Sequence, residues 1–152
     1  MNLDVQTLSV VTVFVTALLG ALLVFAGLQN RSIRAPMWWG SAHIVNAIGL
    51  ALLIARGSAP DFLTIGLANA LVLFGYGLTW TGARVFDGRE VSLYLVLLAP
   101  AIWTLLCLVP GFAGDDNLGV VVVCTALAVF ALMTAQEFWR GRDEPLMSRW
   151  PS

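Results

Sequence analysis

The sequence has no lysine, a single histidine and two cysteines, and only 11% of its 152 residues carry charge. Soluble domains carry about 25% charged residues and about 45–50% apolar ones. Here 59% are apolar. An ordinary soluble enzyme, a nucleic-acid-binding domain and a secreted disulfide scaffold are all excluded by this balance. The few charges also fall in a pattern. Between them lie uncharged runs of 26 (Val5–Asn30), 21 (Ala35–Ala55), 22 (Phe62–Ala83), 24 (Val91–Gly114) and 20 residues (Asn117–Gln136). Each run meets the roughly 18–20 residues that a helix needs to cross about 30 Å of hydrocarbon. The expectation is an all-α integral membrane protein in one domain, 1–152. Its helices are expected at 6–29, 36–55, 62–83, 91–110 and 118–139, followed by a tail at 140–152.

The first run lacks the marks of a cleaved signal peptide. No Arg precedes it, and its length far exceeds the about 7–15 residues of an apolar signal core. Met1 is followed by Asn2 and no cysteine lies near either end, so no lipid anchor is expected.

Short breaker-rich loops join the runs. Gln29–Pro36 closes the first helix, and Pro36 suits the first turn of the second. Arg56-Gly57-Ser58-Ala59-Pro60-Asp61 forms loop two, Arg84–Glu90 with its Asp87-Gly88 turn forms loop three, and Pro110–Asn117 forms loop four. Such tight connections predict an up-and-down bundle. All eight basic residues are arginines. Seven of them (Arg31, Arg34, Arg84, Arg89, Arg140, Arg142 and Arg149) belong to loop one, loop three and the tail, whereas Arg56 alone belongs to the other side. Arg excess marks cytoplasmic loops, so the N-terminus is expected outside and the tail in the cytoplasm. The aromatic residues Trp38, Trp39, Trp80, Tyr94 and Trp139 fall near the cytoplasmic helix ends, where rings anchor at headgroup level. Trp103 alone lies deep, toward the outer end of helix four.

Inside the spans the polar side chains are few. His43 and Asn46 share a face of helix two, while Asn69 and Tyr76 lie on one stripe of helix three. At ~1.5 Å per residue, His43 matches Tyr76 in depth and Asn46 matches Asn69. Two readings stay open: interhelical hydrogen bonds that fasten helices two and three, or a polar pocket that detects a ligand or a proton. One His lacks the companions that a metal or haem site needs, so no metal and no cofactor are expected.

Ser9, Thr12, Thr16, Gly20 and Gly27 form a small-residue stripe on helix one, suited to close packing within the chain or across a homodimer. Pro100 is expected to kink helix four. Cys107 and Cys124 lie at similar depth, either as buried thiols or as a bridge. Ser41 and His43 are two apart on one helix, so their side chains diverge and form no catalytic dyad. No catalytic residues are assigned.

Several stretches are similar to the N-terminal membrane region of bacterial GGDEF-type diguanylate cyclases. They are Pro36-Met37-Trp38-Trp39-Gly40, Leu67–Leu71, Gly75–Arg84 and Phe86-Asp87-Gly88-Arg89, together with Glu137–Leu146 and Ser148-Arg149-Trp150-Pro151. The resemblance implies a bacterial inner membrane and a cytoplasmic output domain that makes cyclic di-GMP from two GTP. It further implies about seven spans, two of them after the Ser-Arg-Trp-Pro segment. The sequence departs from that pattern in stopping at Ser152, without a GGDEF motif or a nucleotide site. It is therefore expected to be a sensory and anchoring module, not itself an enzyme, and a fragment of a longer sensor. Its partners would be the lipid bilayer, the output domain and, in one reading, a second copy of itself. Glu137, Trp139 and Arg140 form the expected signal-output junction, with a local Glu137–Arg140 pair. A small transporter and a structural membrane subunit are the rival readings.

Overall fold

The computed structural model describes residues 5–109, 111–112 and 116–141, and among these the chain is helical without a named strand. Five helices follow the five uncharged runs: α1 Val5–Gln29, α2 Ala35–Ile54, α3 Ala68–Phe86, α4 Leu93–Cys107 and α5 Asp116–Arg140. A π-helical segment, Phe62–Leu67, leads directly into α3, so that Phe62–Phe86 is one rod of 25 residues. α1, α2, this rod and α5 are each long and apolar enough to cross a membrane. α4 is shorter than the expected 91–110. It starts after Ser92, and at its far end Leu108 and Val109 bond carbonyls only three residues back. Pro110, Asp115 and the tail segment 142–152 lie outside the described residues.

Loops two, three and four each turn at a glycine with positive φ: Gly57 (87°), Gly88 (70°) and Gly111 (97°). A side chain there would strain the backbone. Loop one turns without one, and Pro36 opens α2 as its second residue. There its missing N–H costs the helix nothing.

The packing order places α3 at the centre. α1 packs on α2, α2 on α3, and both α4 and α5 on α3. Ten of the nineteen residues of α3 are buried, whereas only Gly20 and Gly27 of α1 are. The remainder of α1 presents Leu8, Phe14, Leu22 and Phe25 outward, an apolar surface that water would not favour.

Backbone contact fixes the crossings. A Cβ on Gly20 would lie 2.9 Å from the Gly40 carbonyl, and one on Gly40 would lie 2.7 Å from the Val24 nitrogen. The glycine part of the small-residue stripe of α1, Gly20 and Gly27, is thus covered by α2 within the chain, while Thr12 on the same stripe stays exposed. At α3, Gly75 receives the Asn46 side chain, Gly82 receives the Trp39 ring and Gly77 receives Val96. The last contact has a backbone cause. Pro100 has no N–H to offer the Val96 carbonyl, and that oxygen lies against Gly77, 3.2 Å from where a Cβ would stand.

These contacts also give the direction of each helix. Gly20 meets Gly40 and Gly27 meets Met37, so α1 and α2 are antiparallel. Trp39 meets Gly82 and Gly49 meets Val72, so α2 and α3 are as well. The end formed by loops one and three and the last turn of α5 carries Arg31, Arg34, Arg84, Arg89 and Arg140; it is called the arginine-rich end below.

Candidate functional site

The π segment is where the backbone departs from regularity. Its register is seen at Ala68, whose N–H points to the carbonyl of Leu63, five residues back. π segments are frequent at functional sites. Two side chains supply donors here. Asn69 Nδ2 donates to the Ile65 carbonyl at 2.9 Å, and Trp103 Nε1 donates across from α4 to the Gly66 carbonyl, also at 2.9 Å. Trp103 is only 2% exposed and meets Phe112 edge-on, with centroids 5.7 Å apart. Leu73, Val123 and Ala99 close the cluster around it.

Beside this cluster lies a cavity of about 410 Å³ at the arginine-poor end. Its walls come from the π segment, α4, α5 and the end of α2. Phe62, Trp103 and Phe112 give it aromatic faces, Asn69 gives it an amide, and Arg56 and Asp61 stand where loop two borders it. The volume falls in the range of about 300–1,000 Å³ typical of small-molecule sites. Cys107 and Cys124 both line it, and both are free thiols. They are neither bridged nor fully buried: Cys107 is half-buried and Cys124 exposed.

The four polar residues singled out in the sequence are not joined as expected. Asn69 spends its amide donor on its own helix. Asn46 Oδ1 is buried against Gly75 without a hydrogen-bond partner. Tyr76 is 37% exposed, and among the described residues no hydrogen bond links it to His43 or Asn46 to Asn69. The hydroxyls are likewise turned inward on their own helices. Ser9, Thr12, Thr79, Thr81, Thr104, Thr125 and Thr134 each donate to the carbonyl four residues back. In an apolar setting that is the cheapest satisfaction available.

At the arginine-rich end, three elements are fastened together. Trp39 of α2 donates Nε1 to the Thr79 carbonyl of α3 at 3.2 Å. Its ring packs with Phe86 and Phe138, at 6.0 and 6.2 Å, and those two rings lie 6.4 Å apart. Trp80 is 2% exposed beneath Arg84, whose guanidinium lies 5.0 Å from the ring centroid. Trp39 and Trp80 are therefore packing residues and not only interfacial anchors; Tyr94 and Trp139 remain exposed.

Glu137 is 6% exposed, and its Oε2 lies 3.1 Å from Arg89 Nη1 in loop three. The approach has ion-pair distance without hydrogen-bond geometry. Glu137 thus reaches across to loop three, and the expected local pair with Arg140 gives way to this contact. A buried carboxylate needs a cation, and Arg89 meets that need from a side chain still 41% exposed.

Trp103, Gly66 and the cavity were not assigned from sequence. One signal was available: a deep indole N–H requires an acceptor, and Trp103 is the one indole placed deep in a span. Which carbonyl accepts it is not legible, because regular helix carbonyls also accept a second donor, as that of Thr79 does from Trp39. Compared with known protein families, curated proteins and solved structures, the chain matches none.

Proposed function

We propose that the chain is a membrane-embedded sensory and anchoring module that governs a cytoplasmic output domain. The output domain is of the diguanylate cyclase kind that the sequence resemblance implies. One observation carries this reading. The cavity and the arginine-rich junction are built on the same two helices, α3 and α5, at their opposite ends. Occupying the cavity shifts the packing around Trp103 and Val123, and α5 carries that shift to Glu137 and Arg140. Packed helices transmit such shifts because they are stiff and close-packed. In this reading the arginine-rich end faces the cytoplasm and α1 lies outermost, against lipid.

The test places the chain as the N-terminal region of a diguanylate cyclase chimera. Glu137→Ala and Trp139→Ala should each change cyclic di-GMP output at matched expression and normal membrane insertion. Unchanged output in both variants reduces the module to an anchor.

A further inference from the structure

The cavity has a composition that selects among ligands. Most of its wall is apolar or aromatic, so an ion would enter at the full cost of desolvation. Its polar groups are unequal. The bond from Asn69 Nδ2 to the Ile65 carbonyl uses one of the two amide N–H groups and fixes the way the amide faces, with Oδ1 left as an acceptor. The Trp103 N–H is already spent on Gly66. Asp61 adds another acceptor, and Arg56, which has a partner of its own, stands on the same loop. The wall therefore offers one amide acceptor, Asn69 Oδ1, on its inner side and a carboxylate, Asp61, at its exposed rim.

Resting on the sensory reading above, we infer that the cavity binds a compact, neutral aromatic molecule carrying one hydroxyl or N–H donor. The ring system lies between Phe62, Trp103 and Phe112, and the donor points to Asn69 Oδ1. Offset and edge-on ring contacts supply the packing, and the single hydrogen bond supplies the orientation. A lipid acyl chain would fill the same apolar space but offer no donor to the Asn69 acceptor, and so would forgo that hydrogen bond.

The chain carries its own reporter. Its two cysteines both line this cavity, so alkylation of the protein by N-ethylmaleimide reads the occupancy of this one place. The experiment follows intact mass during alkylation of the full chain in nanodiscs of fixed lipid composition, with 2-naphthol or naphthalene added. 2-Naphthol should protect at a concentration about fivefold below that of naphthalene, the ratio that one hydrogen bond gives. Asn69→Ala should bring the two probes to equal potency. A second variant guards against misfolding of the first. Val120 lines the cavity yet is 61% exposed, so Val120→Trp can fill the space from outside the core. It should slow alkylation without any probe and abolish protection by 2-naphthol. Equal protection by both probes in the unmodified chain overturns the inference, as does no protection by either. Protection that follows only the acyl-chain length of the lipid assigns the cavity to a lipid tail and overturns it too. None of these results depends on cyclic di-GMP output, so the sensory reading stands or falls separately.

Discussion

Trp103 of α4 and Gly66 of the π segment are joined by a 2.9 Å hydrogen bond that spans two helices and answers a carbonyl of the widened turn. The bond ties the shortest helix to the central rod just where the rod changes register. It follows that Trp103 is worth more than its buried area. Trp103→Phe keeps most of the ring volume and deletes the donor of this buried cross-helix bond. The expected loss is about 1–3 kcal/mol, seen as a lower midpoint of thermal unfolding in detergent. A Phe variant as stable as the parent would show that the bond contributes nothing.

The α1–α2 crossing is equally specific. A methyl group on Gly40 would collide with the backbone of α1 at Val24 and Gly20. Gly40→Ala should therefore destabilise by about 1–3 kcal/mol, the usual cost of overpacking. Thr12→Val, on the same stripe but bonded to its own Leu8 carbonyl and exposed, should change stability by less than about 0.5 kcal/mol. Equal losses from both, measured by thermal unfolding, would contradict this crossing.

A double-mutant cycle distinguishes a polar network from separate bonds. Asn69 donates within its own helix, and nothing joins it to His43 among the described residues. The losses from His43→Leu and Asn69→Leu should add to within about 0.5 kcal/mol. A coupling well above that would restore the network expected from depth alone.

That expectation shows how far the sequence reaches. The five helices, the breaker residues of the loops and the small-residue face of α1 are legible because charge, glycine and proline bound them directly. Depth along a helix is legible only to within about two turns, since counting from the ends does not fix the offset between neighbouring helices. Asn46, expected at the depth of Asn69, faces Gly75 instead, six residues further along α3 and about 9 Å away at ~1.5 Å per residue. Rotation about the helix axis is not fixed by that count. The π segment adds to the difficulty, because a register change leaves no mark in composition. Glu137 misled for a related reason: the nearest cation in sequence is Arg140, but burial turned the carboxylate toward loop three and Arg89.

Orientation in the membrane rests on the arginine distribution, and reporter fusions check it. Alkaline phosphatase joined after Asp61 or after Asp116 should be active, and joined after Arg34 or Arg89 should be inactive. The reverse pattern would place the junction at Glu137 outside, away from any cytoplasmic output domain.

In the proposed sensory module, the cavity at one end of α3 and α5 governs the junction at the other. Cyclic di-GMP produced by the chimera, compared between the parent, Val120→Trp, Glu137→Ala and the double variant, tests it most directly. Filling the cavity with Val120→Trp should change output, and this effect should disappear in the Glu137→Ala background because the contact with Arg89 is lost. An effect of Val120→Trp that is the same size in both backgrounds, or no effect in either, would contradict it.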